Sequence, residues 1–537
     1  MAGLPNEESP KSWGTKYNEY LLVEHNSDGT HAEITPEDIK AKSPWADVRA
    51  YGATGDGVTD DTIAIAEAVA TGSNVYFPAG TYLTDGFSAA EAGQMFFGDG
   101  YETSILLSNS ADNMLTIDGK NRCIVRDLYF KGGTASDSKT GNKGIFIDGS
   151  SGRTQIKSCR FDYYLEAGIY NDSDSGVHWV SDCTFLHTVI GIYMGLNSGD
   201  SYIVNNDIGW ATTAAIDSLT GTLRIINNSP YNSGVGIRFD CSGISGQSLY
   251  NNKIIGNSCG DNTTGIEIKG NDYQFVRSEI SNNDLWLNST GAGVGLALDS
   301  VSYLLMTNNS FQNFEGIAVD IDDSHNILAS NFRFRTCSSH QLAIDNVDDS
   351  VFTDFLVSNP GAVAGNLYVI YKENDPTRCQ FVDWTIETVQ TNYYKVTNTG
   401  GSDNIYRNFL YEKENGWDAG WYDASAVVSD LIDSDATSII HTLKDDATPS
   451  VCGSDTAGEG PSNLWLTGGT TTITDFANGY AGQIITVIAE HSITITDGTN
   501  IFLSGSTNWA MTATDTLTLI CKADGKWYEV SRGDNGA

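Results

Sequence analysis

Between residues 123 and 345 the chain repeats two short patterns of apolar and polar positions. The first reads "CIVRDLYF" at 123–130, "QIKSCRF" at 155–161 and "HWVSDCTF" at 178–185. It returns as "IVNNDI", "IINNSP", "LYNNKI", "ISNNDL" and "MTNNSF", with Asn-Asn beginning at 205, 227, 251, 282 and 308. The second follows each copy by about ten residues: "GIFID" at 144, "GIYND" at 168, "GIYMG" at 191, "GIRFD" at 236, "GIEIK" at 265, "GLALD" at 295, "GIAVD" at 316 and "LAID" at 342. Both alternate with period 2, which reads as strand, and the glycines exclude a helical repeat. The Asn-Asn spacings are 22, 24, 31 and 26 residues. Two strand tracks on such a period predict a solenoid whose coils cannot bury their apolar face alone.

Equivalent residues of stacked coils lie about 4.8 Å apart, so a repeated asparagine is expected to form a hydrogen-bonded ladder along the axis. Cys159 and Cys183 fall where later coils carry asparagine. A solenoid must also cover its first coil, or leave a raw edge. Residues 46–82, "ADVRAYGATGDGVTDDTIAIAEAVATGSNVYFPAGTY", are read as that cover. Asp60 or Asp61 caps a short helix from Thr62 to about Ala70, with Ile63, Ala66 and Val69 over the bore and the glycines in positive-φ turns.

Composition agrees with an all-β chain. Its 537 residues hold 56 glycines and only ten prolines, and are 40% hydrophobic but 18% charged, enough for more than one core. The formal net charge of −38 repels nucleic-acid phosphates and anionic membranes, so neither is an expected partner. The N-terminus lacks a basic region followed by an apolar run, and nowhere do ~20 apolar residues follow one another, so export by a signal peptide and a spanning helix are not expected. Nine scattered cysteines, without a CxxC pair or a Cys/His cluster, predict free thiols, no metal and no cofactor.

The run "DVRAYGATGDGVTDDTIAIAEAV…VYFPAGTY" closely resembles the N-terminal signature of the pectate-lyase-like right-handed parallel β-helix superfamily. Within it the chain resembles a bacteriophage tailspike. Residues 1–45 are similar to short virion-attachment segments, and "NLWLTGGTTTITDFANGYAGQIITVIAEHSITITDG" with "DTLTLICKADGKWYEVSRG" resembles the small β-domain that ends many tailspikes. The expected organisation is an attachment segment at 1–45, a β-helix at 46–410, a connector at 411–445 with Trp417 and Trp421, and a sandwich-like β-domain of hairpins at 446–537. The resemblance implies a homotrimer held partly by that last domain, with Trp465, Trp509 and Trp527 for its cores or for glycan. It also implies attachment to a phage tail, baseplate or adaptor protein, residence in the virion after synthesis in the host cytoplasm, and action on a bacterial surface polysaccharide, capsule or O-antigen.

No Ser/His/Asp triad, phosphate loop or metal motif is visible, so chemistry is sought on the outer face of the second track. Aligned on glycine, its third position reads Arg238, Glu267, Ala297, Ala318, Ala343 and Tyr368. The fifth reads Asp240, Lys269, Asp299, Asp320 and Asp345. Stacked carboxylates repel, which holds one protonated as a general acid requires. One-coil separation suits the ~5–5.5 Å of a retaining glycosidase, and two-coil separation the ~6.5–9.5 Å of an inverting one. Asp299, Asp320 and Asp345, with Glu267, are the candidate catalytic acids. "DIDD" at 320–323, followed by His325, adds acidic density.

Arg238, Lys269, Trp286, Tyr303, His325 and Tyr368 are the candidate substrate-binding residues, the aromatics by stacking on sugar. The plain alternative is that each Asp only ends a strand and the cations form surface pairs. Arg238, Lys269, Arg277 and His325 alternatively serve a lyase, neutralising a uronate carboxylate while a base takes the adjacent proton. So acidic a chain favours hydrolysis over that reading. A non-catalytic adhesin and a purely structural spike are the remaining expectations.

Overall fold

The computed structural model describes residues 43–535, less 135–137, 245–248, 271–274, 338–339, 359–366, 374–376, 388–393, 398–404, 412–426, 434–439, 444–446, 450, 452–463, 478 and 480. The expected attachment segment, save its last three residues, and the connector tryptophans Trp417 and Trp421 lie outside the described residues. Two compact units, Met1–Thr188 and Val189–Ala537, are taken in turn.

The first unit opens on the cover. Its helix, Thr62–Ala70, buries Ile65, Ala68 and Val69, one i, i+3, i+4 face. Ile63, expected over the bore, is instead 76% exposed, and Ala66 is exposed with it, because both fall on the opposite side of that face. Asp60 accepts from the backbone N–H of Thr62 at 2.9 Å. Asp61 occupies the cap position without a side-chain cap bond. Its buried carboxylate instead accepts from the N–H groups of Thr54 and Gly55 at 2.6 and 3.1 Å, pinning the glycine-rich loop to the helix start. Gly55, at φ 67°, brings its backbone so close to Tyr82 that a Cβ would sit 2.9 Å from the ring.

Parallel strands then stack coil on coil: Met95–Gly98, Ile124–Arg126, Gln155–Lys157 and Trp179–Ser181 in one track, and Tyr129–Lys131, Arg160–Asp162 and Thr184–Leu186 in a second. Leu115–Asp118, Lys143–Asp148 and Ala167–Asn171 form a third. Phe130, Phe161 and Phe185 hold the register inside, their rings stacked at 4.9 and 4.7 Å.

The second unit repeats these tracks. Arg224–Ile226, Lys253–Ile255, Glu279–Ser281, Leu305–Thr307 and Leu328–Ser330 pair in sequence in the first. Ser258–Gly260, Asp284–Gly291, Ser310–Phe314 and Arg333–Arg335 pair in the second. The third runs through Ala214–Ser218, Val235–Asp240, Thr264–Lys269, Val294–Asp299, Val319–Asp322 and His340–Asp345. A short additional track, Leu249–Tyr250, Phe275–Val276 and Val301–Ser302, lies between the third and the first. The result is a parallel β-helix, right-handed as parallel crossovers are.

The asparagine ladder is present and fully satisfied. Asn206, Asn228, Asn257, Asn283 and Asn309 are buried between first and second tracks. Each of the first four donates its backbone N–H to the next Oδ1 at 2.9–3.0 Å, and its Nδ2 to the same oxygen. The rungs are 22, 29, 26 and 26 residues apart. One rung therefore differs from the sequence reading: Asn257 of "IIGNSC" holds the place assigned to Asn-Asn at 251. Asn252 sits at another corner, where it accepts from the N–H of Leu223 and donates to Ser278 Oγ. Earlier in the chain Cys183 Sγ accepts from the Cys159 N–H at 3.5 Å, as an asparagine oxygen would. All eight described cysteines are free and buried.

Toward the C-terminus two mixed sheets form a sandwich-like domain around buried Trp465, Trp527, Ile485, Leu517 and Leu519, with Trp509 partly buried against them. Asp524-Gly525 joins the antiparallel strands Thr516–Cys521 and Trp527–Gly533, as expected of a hairpin. Among the described residues the other expected turns do not join strands that pair with each other. Leu464–Leu466 pairs with Ile484–Ile488, and Thr472–Ile473 with Ile493–Ile495, in parallel. No described helix is long and apolar enough to cross a membrane.

Asn257→Ala removes both acceptor bonds made by its Oδ1 and the donor bonds from its Nδ2 to Ile225 O and Asn283 Oδ1. Unpaired buried groups cost ~1–3 kcal/mol each, so the variant should lose at least ~2 kcal/mol in denaturant titration. Lys253→Ala, in the coil of Asn257, breaks an exposed pair with Glu279 of the next coil and should stay within ~1 kcal/mol of wild type.

Candidate active site

The outer face of the third track carries two columns of side chains, fixed by strand register. One column runs Asp217, Arg238, Glu267, Ala297, Asp320, Ala343. The other runs Asp240, Lys269, Asp299, Asp322, Asp345. This corrects the alignment on glycine at one coil. Asp320 pairs with Ala297, not with Asp299, and the residue between Asp299 and Asp345 is Asp322.

The cause of the slip is local. Gly295 packs under the carbonyl of Ala318, whereas Gly316 packs under Ala292 and Gly293, two positions earlier. Ala318 therefore takes the glycine's place and is fully buried instead of facing outward. Val319 and Ile321 then point inward, leaving Asp320 and Asp322 outside. The alternation in "VDID" was the available signal for Asp322.

Four carboxylates thus gather on three consecutive coils: Asp299, Asp320, Asp322 and Asp345. Burial pushes the Asp322 carboxyl up to about 7, with Asp320, Asp345, Asp299 and Asp323 adding repulsion. Asp320 is also raised, by burial first and then by Asp345. Asp299 accepts from Ser300 Oγ at 2.7 Å. The nearby cations are engaged. Arg238 holds Asp217 through two bonds of 3.0 and 2.5 Å, and Lys269 lies 2.8 Å from Glu267. Chemically the cluster offers a carboxylic acid protonated near neutral pH beside carboxylates one coil away, about 4.8 Å along the backbone stack. Among the described residues, no group of three or more His, Cys, Asp or Glu side chains is arranged to hold a metal.

The other predicted residues lie apart from this cluster. Trp286 is on the second track, its indole against Gly260 and its Nε1 donating to Ser258 Oγ at 3.1 Å. Tyr303 and His325 meet edge to face at 5.9 Å, past the end of the third track. Tyr368 pairs with His340 through the backbone, and the strand partner of Ala343 is Tyr371.

Two family models match the chain: "Rhamnogalacturonase A/epimerase, pectate lyase-like" over residues 45–238, and "Right handed beta helix region" over residues 218–381. Residues 45–238 are thus similar to pectate-lyase-like proteins and residues 218–381 to right-handed β-helix regions, in agreement with the parallel β-helix described above. Similar solved structures include the A-module of the Azotobacter vinelandii mannuronan C-5 epimerase AlgE4, at 16% identity and TM-score 0.47, covering 66% of this chain and 99% of that one. A GH87 α-1,3-glucanase from Streptomyces thermodiastaticus reaches 16% and 0.44 over 71% of this chain and 70% of its own. The Dettilon tailspike protein reaches 12% and 0.42 over 94% and 83%. Likeness at this level does not transfer chemistry. No curated protein sequence matches the chain.

Unfolded, Asp322 ionises near its ordinary 3.8; folded, near 7. Between these values the native state binds the extra proton, so this group makes stability fall as pH rises from about 4 to about 7. Asp322→Asn should flatten that decline in melts from pH 4 to pH 8. An unchanged slope would place Asp322 in an ordinary, solvated setting.

Proposed function

We propose that the chain is a phage tailspike that binds and depolymerises a bacterial surface polysaccharide, capsule or O-antigen, by endoglycosidic hydrolysis along the third-track groove. The observation that carries this reading is the register that stacks Asp299, Asp322 and Asp345 in one column with Asp320 beside them. Asp322 protonates the glycosidic oxygen. Asp299 or Asp345, one coil away and so at the spacing of a retaining nucleophile, attacks the sugar, and Ala297 in the neighbouring column leaves room for the chain.

Hydrolysis is favoured over elimination because a lyase needs cations free to neutralise a uronate. Arg238 and Lys269 already face Asp217 and Glu267. The tailspike reading draws on the resemblance of residues 47–82 and of both ends of the chain. Residues 1–45 attach the spike to a tail, baseplate or adaptor protein. The protein acts as a homotrimer in the virion, and residues 446–537 help to hold its three chains together.

Incubation with capsule and lipopolysaccharide panels, followed by product sizing, tests the activity. Asp322→Asn and Asp299→Asn should each lower cleavage by about 10²–10⁴-fold, the range for positioned acid–base groups, while binding persists. Wild-type cleavage should decline as pH rises above about 7, where Asp322 loses its proton. Full activity in both variants, or products absorbing as unsaturated uronates, would sink the hydrolytic assignment. Light scattering should give three times the chain mass of 57.8 kDa, and a monomer would refute the assembly.

A further inference from the structure

We infer that a second glycan site, for a carboxylate-bearing sugar, lies on the corner between the short additional track and the first track, lined by Tyr250, Val276, Arg277 and Tyr303. These four residues enclose a groove of about 430 Å³. They come from three successive coils, since Tyr250 pairs with Val276 and Val276 with Ser302. Tyr250 and Tyr303 are 50% and 58% exposed, more than Trp210 at 43% and Trp45 at 39%, the other exposed large aromatics among the described residues.

The corner fixes where these side chains leave the coil. The residue two places before each first-track strand takes left-handed backbone. Asp200, Thr222, Asn251, Asn326, Asp349 and Arg378 occupy it in other coils of this unit, and Arg122, Arg153 and Val177 in the first unit, at φ between 51° and 69°. Asparagine and aspartate tolerate this region, while long and aromatic side chains enter it at a cost. Arg277 and Tyr303 nonetheless hold it in consecutive coils, at φ 52° and 53°. Their side chains leave the corner side by side, about 4.8 Å apart along the stack, with Tyr250 one coil further.

Charge selects the ligand. Arg238 faces Asp217, Arg126 faces Asp127, and Arg378 faces Asp348 and Asp349. Arg277 is exposed and takes part in none of the ion pairs found among the described residues. A guanidinium in a groove lined by two exposed tyrosines fits a planar carboxylate on a pyranose ring. The guanidinium forks onto the carboxylate, and the tyrosines take the apolar ring faces. The acid row is not involved, so this site does not depend on the hydrolytic reading.

Calorimetric titration of the full chain with an oligogalacturonate tetrasaccharide, its methyl ester and maltotetraose tests the proposal. Wild type should bind the free acid saturably and at least tenfold more tightly than the ester or the neutral sugar. Arg277→Asn and Tyr303→Asn place at these corners the residue that Asn251 and Asn326 supply in neighbouring coils. They should therefore keep or raise the melting temperature, yet weaken binding of the free acid at least tenfold. Lys157→Ala, which removes an exposed cation from the first unit, should leave binding unchanged. Absence of saturable binding by wild type, equal affinity for acid and ester, or full binding by the two asparagine variants would each overturn the proposal.

Discussion

The parallel hydrogen bonding of one coil to the next is the constraint from which the rest of the molecule follows. It places every repeated position in a row of about 4.8 Å spacing, whatever residue stands there. What the row then does depends only on chemistry. Asparagines satisfy one another, as from Asn206 to Asn309. Phenylalanines stack, as Phe332 does on Phe355 at 4.7 Å and Phe352 on Phe381 at 5.3 Å. Carboxylates repel, which holds at least one of them protonated. Ladder and candidate site are thus the inward and outward results of the same geometry.

Much of this was legible in the sequence, because period 2 within strands and glycine between them survive in nearly every coil. The solenoid, the buried ladder and the covering helix were readable for that reason. Register was less so. Coils differ in length, and a motif can recur at more than one corner: Asn251-Asn252 copies the ladder's lettering while Asn257 fills its place. Glycine misled at Gly316 for the same reason, since close approach to a neighbouring backbone is needed at several points of a coil. Inward apolar residues are the safer ruler, because a slip of one residue would turn Val319 and Ile321 outward. Which face an aromatic occupies, as for Trp286 and Tyr303, is set by corner positions that alternation alone does not encode.

The column containing Asp322 also shows why residue type does not settle chemistry. Asp240 stands in the same column three coils earlier. There burial alone would raise its carboxyl, but hydrogen bonds from Ser242 and the charges of Lys269 and Arg238 hold it below the ordinary value. Asp322 has burial without those donors and has carboxylates where Asp240 has cations. Two aspartates on one column therefore lie on opposite sides of the ordinary carboxylate value in their tendency to keep a proton. A sequence that names the column cannot distinguish them until the neighbours are in register.

Local rules and global fold agree along most of this chain, as expected of a sequence that specifies one structure. They part at several places, and two of these lie at the proposed sites. One is the row of acids, where a lysine or a serine beside Asp322 would relieve the repulsion as it does beside Asp240. The other is the pair of corners at Arg277 and Tyr303, where asparagine would relieve the backbone. Neither departure is forced by packing, because both face outward and neighbouring coils solve the same problem with the easier residue. Both lie within a few coils of each other, on different faces of the same stack. The β-helix makes this possible: once its backbone register is secured from within, the outer positions are released from folding and free to carry binding and catalysis.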